Sequence, residues 1–168
     1  MHILIATAGA LPPAAVVDLV TALWSSGSSI TVMTSIEVPR SFLEELETEE
    51  WRPFADNSMS PESERQVARY VDERGRRLIQ PILAGLDAAG LVARPLFVES
   101  ADPAAAILET VTEGQIDIIV MGATRPIFTE DVWQSVAVKV MQGSTIPVVM
   151  VPGLIRTPDD LGDNEGVG

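Results

Sequence analysis

Asp117-Ile118-Ile119-Val120-Met121-Gly122-Ala123-Thr124-Arg125-Pro126 is the stretch that decides how the rest of the chain is read. A short apolar run stops at a glycine and opens into a polar loop. A helical pattern containing Gln134, Ser135 and Val136 follows. A buried strand feeding a glycine turn and then a helix is the arrangement with which α/β proteins hold phosphate, because backbone N–H groups and the helix N-terminus face the anion together.

Working outward, the same alternation recurs. Ile3 to Ala6 reads as a buried first strand ending in the turn Thr7-Ala8-Gly9-Ala10. Pro12 and Pro13 can open a helix but not sit inside one. Val16, Val17, Val20, Leu23 and Trp24 then repeat at helical spacing, with Gly27 expected to close the helix. Ile30 to Ile36 is a second strand. Ser60-Pro61-Glu62 is a cap, a first-position proline and an acidic first turn. In the long helix that follows, Val67, Val71, Leu78, Ile82 and Leu86 share one face, while Arg65, Arg69, Arg76 and Arg77 are solvated. Pro81 predicts a kink near Arg77.

Val92 to Val98 is a third strand, placed at a sheet edge by Pro95, which has no N–H to give a ladder. Asp102-Pro103 caps a helix with Ile107, Leu108 and Val111 inward and Gly114 at its end. Ile116 to Met121 is the fourth strand. Thr129, Glu130 and Asp131 are expected to start the last helix, with Val132, Val136 and Val140 on its apolar face and Gly143 as its C′ residue. Pro147 to Pro152 is the fifth strand. Apolar strands alternating with helices predict a single-domain open α/β sheet of about five mostly parallel strands with helices on both faces, Rossmann-like in plan. The domain is expected over residues 1–152. Within it, 37–60 is an acidic insertion or lid, which Trp51 and Phe54 would anchor. Residues 153–168 are expected to be a disordered acidic tail.

Composition narrows the function. A formal charge of −13 repels a nucleic-acid backbone. Apolar runs fall short of the roughly 20 residues a membrane helix needs, and no signal peptide is read at the N-terminus. There are no cysteines, so thiol catalysis and thiolate metal sites are excluded, and a cytoplasmic location is expected. The one histidine, His2, is read as a surface residue, which leaves neither a histidine triad nor an imidazole metal site. No metal and no catalytic residue is assigned, and an enzyme is the less favoured reading.

The sequence resembles the universal stress protein family. The resemblance is carried by His2-Ile3-Leu4-Ile5-Ala6-Thr7, Ala101-Asp102-Pro103-Ala104-Ala105-Ala106-Ile107-Leu108, Asp117 to Gly122, and Ile146-Pro147-Val148-Val149-Met150-Val151, in matching order and spacing. It implies the adenine nucleotide α-hydrolase-like fold and a nucleotide pocket on Thr7, Ala8, Ile36, Met121, Gly122, Arg125, Gln134, Ser135 and Val136. ATP-binding members carry an aspartate at the end of the first strand and a phosphate loop of the form Gly-x2-Gly-x9-Gly-Ser/Thr. By that pattern Ala8 stands for the aspartate and Gly122 for the first glycine. Arg125 stands for the second glycine, Gln134 for the third and Ser135 for the hydroxyl, with an eight-residue gap between Arg125 and Gln134. A register that keeps nine puts Ser135 on the third glycine and Val136 on the hydroxyl.

Two of three loop glycines are lost either way. Glu130 and Asp131, if they occupy the first turn of the last helix, would also repel a triphosphate. The resemblance therefore implies a regulatory or interaction module that does not hold ATP by the usual motif and needs no cofactor. It would act as a homodimer through its last strand, Pro147 to Val151. The alternative is a protein for an adenine nucleotide (AMP, cyclic AMP or ATP) with an altered phosphate loop.

Overall fold

The computed structural model describes residues 1–39, 41–42, 61–123 and 135–152. Five strands form one sheet: β1 (His2–Ala6), β2 (Ser29–Ile36), β3 (Ala93–Glu99), β4 (Ile118–Ala123) and β5 (Val148–Pro152). The order across the sheet is β3-β2-β1-β4-β5, with every adjacent pair parallel. The chain moves outward from β1 to β3, then returns to the far side of β1. The strand order thus reverses between β1 and β4, and in such sheets ligands gather at the carboxyl ends of the strands near that point.

The helices are α1 (Pro13–Leu23), α2 (Pro61–Ala88), α3 (Pro103–Gly114) and α4 (Val136–Gly143). Alternation along β1 sends Ile3 and Ile5 to one face and Leu4 and Ala6 to the other. The first face packs against Val16 and Val20 of α1 and Ile79, Ile82 and Leu86 of α2. The second packs against Ile107 and Val111 of α3 and Ala137 and Val140 of α4. Both faces are covered, as the continuous apolar strands predict.

Pro95 does lie in an edge strand, paired with Val32 of β2. Several local expectations fail. The first helix ends at Leu23 with Trp24 extended, so Gly27 closes no helix; its positive φ of 85° serves the turn beyond. Trp24 stays 37% exposed. The long helix runs unbroken through Pro81. Gly143 is the last residue of α4, with no positive φ; a Cβ there would lie 2.6 Å from Leu108 Cδ1, so close approach to α3 explains it. Gly114 is the last residue of α3, as expected, and the left-handed residue that follows it is Gln115.

His2 is no bland surface residue. It is half-buried, with Nδ1 3.1 Å from the Gly114 carbonyl and Nε2 2.9 Å from Thr31 Oγ1. The Gly114 oxygen can only accept, so Nδ1 carries a proton toward it. The histidine ties β1, β2 and the end of α3 together at the opposite end of the sheet from the strand carboxyl ends. Trp51, Phe54 and the expected tail lie outside the described residues. Phe42, near the start of the expected insertion, stacks on Tyr70 of α2 with ring centroids 5.0 Å apart.

Candidate functional site

Three strand ends converge where the strand order reverses. Ala6 of β1 is level with Met33 of β2 on one side and Met121 of β4 on the other. Met33 and Met121 are buried, at 1% and 5% exposure, and together they floor the crevice. Just above, the Thr7 N–H donates to the Met33 carbonyl at 3.0 Å, which ties the first loop to β2. Thr7 Oγ1 accepts from the Gly9 N–H at 3.0 Å, tightening the turn. Gly122 faces Leu11 of the same loop: a Cβ on Gly122 would meet Leu11 Cδ2 at 3.4 Å, and Leu11 is buried.

Among the residues read from the sequence as a pocket, Thr7, Ala8, Ile36, Met121 and Gly122 all fall at or beside these strand ends. Ser135 and Val136 sit at the start of α4. Ser135 is its N-cap, and its Oγ accepts from the Val138 N–H at 3.3 Å. That cap satisfies one of the free donors of the first turn and leaves the others open. Arg125 and Gln134 lie outside the described residues.

The acidic start expected for the last helix is corrected. The helix α4 begins at Val136 and has no carboxylate in its first turn, because Ser135 rather than Thr129 provides the cap. Glu130 and Asp131 therefore do not occupy that turn, and the charge objection built on them does not apply to α4.

Beside the crevice, a cleft of about 480 Å³ opens between the ends of β1 and β2 and the middle of α2. Ala8 and Ile36 form part of its lining. Three residues at helical i, i+4 and i+8 spacing, Tyr70, Arg74 and Leu78, form the α2 wall, and Glu37 leaves β2 into the same space. Ser35 also lines it; its hydroxyl donates to the Ser100 carbonyl at 3.2 Å, which joins the ends of β2 and β3.

The charges on α2 are treated unequally. Arg65 pairs with Glu62, Arg69 with Glu73 and Arg76 with Asp72, all on the exposed surface. The hydrogen bond from Arg76 holds the Asp72 carboxyl below its ordinary range. Arg74 and Glu37, by contrast, make no ion pair or side-chain hydrogen bond among the described residues. Sequence reasoning found Leu78 as core but missed Tyr70 and Arg74. The available signal was the stripe 70, 74, 78, which runs alongside the buried stripe 67, 71, 75, 79.

No group of three or more His, Cys, Asp or Glu able to hold a metal occurs among the described residues, and none of their helices is long and apolar enough to cross a membrane.

Sheet order, covered faces and converging strand ends define an open doubly wound α/β domain. Residues 1–152 match the model of the universal stress protein family, and the chain belongs to that family. Solved structures agree on the fold. The hypothetical protein MJ0577 superimposes with a TM-score of 0.62 at 18% identity, covering 91% of this chain and 96% of that one. A universal stress protein in complex with cAMP gives a TM-score of 0.57 at 16% identity, covering 92% and 98%. A universal stress protein family protein from Arabidopsis thaliana with AMP bound gives 0.54 at 13% identity, covering 98% and 97%. A search of curated proteins returned no match.

Proposed function

We propose that the chain is a regulatory and interaction module of the universal stress protein family that does not hold ATP through the usual phosphate loop. It would work in the cytoplasm as a homodimer. The observation that carries this reading is the end of β1. Ala8 stands there, exposed at the mouth of the cleft, where ATP-binding members carry the aspartate that would take a ribose hydroxyl. A methyl group accepts no hydrogen bond, so the ribose anchor of that route is absent. Pairing through β5 is supported by its place at the sheet edge with Val148, Val149 and Met150 only half-buried, since an apolar edge left open invites a partner strand.

The test is thermal unfolding of the full chain with millimolar ATP. No stabilisation is expected. A ligand at a hundred times its dissociation constant would add about 2.7 kcal/mol, and a shift of that order with ATP sinks the reading. Dimerisation has its own check. Ile119 N donates to Pro147 O, so the amides of Val148 and Met150 point away from β4. Their hydrogen exchange should slow as protein concentration rises, and concentration-independent exchange with a monomer mass would remove the dimer.

A second reading is favoured by the cleft itself: a site for an adenine mononucleotide rather than ATP. At about 480 Å³ it falls within the range of small-molecule pockets. Two proteins of the same fold were solved with cAMP and with AMP. Stabilisation by AMP or cyclic AMP, but not by ATP, is the expected result under this reading. No stabilisation by either removes it.

A further inference from the structure

We propose that the cleft walled by α2 is the mononucleotide site itself, with Arg74 taking the phosphate, Glu37 the ribose hydroxyls and Tyr70 the base. The inference rests on the mononucleotide reading above and assigns its chemistry to residues outside the phosphate loop.

Three observations point the same way. Among the described residues Arg74 and Arg77 of α2 make no ion pair or side-chain hydrogen bond, whereas Arg65, Arg69 and Arg76 are paired, and of the two it is Arg74 that lines the cleft. A guanidinium offers phosphate two parallel N–H donors. Glu37 likewise makes no ion pair or side-chain hydrogen bond among the described residues and directly follows β2, opening into the cleft that Ala8 also lines. In doubly wound nucleotide folds the carboxylate beyond the first βαβ unit accepts from ribose hydroxyls. The acceptor missing at Ala8 is thus supplied by the adjacent strand. Tyr70, held by Phe42 at 5.0 Å, gives an aromatic wall on which a base can stack.

Spacing and charge select the ligand class. Tyr70 and Arg74 lie one turn apart, about 6 Å along the helix axis, comparable with the separation of a base from its 5′-phosphate. One guanidinium can offset much of a monoester, which carries a charge of about −1.5 to −2. A triphosphate would bring more charge than a single cation can balance on a chain of net −13.

The experiment is calorimetric titration of AMP and of adenosine into the full chain, wild type and variants. Arg74→Ala is exposed on a helix and should fold normally; Arg65→Ala, one of the paired arginines, controls for the lost charge. Arg74→Ala should weaken AMP about ten- to hundredfold while leaving adenosine within about twofold, because only the charge-assisted contact is removed. Glu37→Gln should weaken AMP and adenosine alike, since both carry the ribose. If AMP binds Arg74→Ala as well as it binds Arg65→Ala, the α2 assignment falls while the mononucleotide reading stands. Equal losses for AMP and adenosine on Arg74→Ala would also overturn the phosphate role. If the wild type binds neither AMP nor cyclic AMP, assignment and reading fall together.

Discussion

The two flanks of the sheet are built from the same parts and finished differently. On the flank of β2, β3 and α2, polar groups are left unspent: Arg74 and Glu37 line a cleft without an ion pair or side-chain hydrogen bond among the described residues. On the flank of β4, β5, α3 and α4, the described polar side chain at the start of α4 is engaged within the fold, while other donors of that first turn stay open. The Ser135 hydroxyl caps α4, and Gly122 is approached by Leu11. A phosphate site requires donors that nothing else satisfies. The difference teaches that, among the described residues, the two charged side chains that line a cleft without a partner stand on the α2 side of this fold.

Each flank also contains a helical glycine at a close approach, and these test how firmly each side is packed. Gly75 of α2 is buried beneath Phe97 of β3, and a Cβ there would meet the ring at 2.4 Å, with two further ring atoms under 3.0 Å. An aromatic ring wedged between strand and helix cannot swing away cheaply. Overpacking of this kind costs about 1–3 kcal/mol, against about 1 kcal/mol of helix propensity recovered. Gly75→Ala should therefore destabilise by up to about 2 kcal/mol in urea unfolding, toward the upper end because three ring atoms lie under 3.0 Å, the largest effect among the substitutions considered. Adding Phe97→Leu should return most of the loss, as a double-mutant cycle would show. Additive losses would mean that Phe97 is not what the glycine accommodates.

Ser135→Ala sharpens the comparison on the other flank. Removing an N-cap hydroxyl costs about 1 kcal/mol, and Ser135→Gly should cost only a few tenths, since glycine suits the extended cap backbone. If Ser135 instead served a nucleotide, its loss would alter AMP affinity and leave stability unchanged. Calorimetry and unfolding on the same variants separate the two roles.

The sheet and its covered faces were legible in the sequence, because apolar strands and helical spacing are local patterns. Pro95 even marked the edge strand, through the donor it lacks. What stayed hidden depends on contacts between distant residues. His2 finds Gly114 across 112 positions, and Gly75 is explained only by Phe97. The site was half legible: the family pattern led to the strand ends and to Ala8. The α2 wall was not found, because Tyr70 and Arg74 look like one more solvated stripe until the helix is laid over β2. The start of α4 was misplaced because Thr129-Glu130-Asp131 offers a plausible cap, and the competing cap at Ser135 is visible only from its bond to Val138.

Gly143→Ala gives the smallest expected effect and the cleanest contrast with Gly75. Its added methyl would come within 2.6 Å of a neighbour, almost as close as at Gly75, but the atom is Leu108 Cδ1, the tip of a flexible side chain that is only partly buried. Rotation of Leu108 relieves the contact, and alanine recovers some helix propensity, though little at the last helical position. The net change should lie within about 0.5 kcal/mol of zero, as for a typical surface substitution. Nearly equal distances would then give unequal costs, because what matters is whether the neighbour can move. A loss as large as that of Gly75→Ala would show that α3 and α4 are packed as rigidly as α2 and β3, and the mechanical contrast between the flanks would fail.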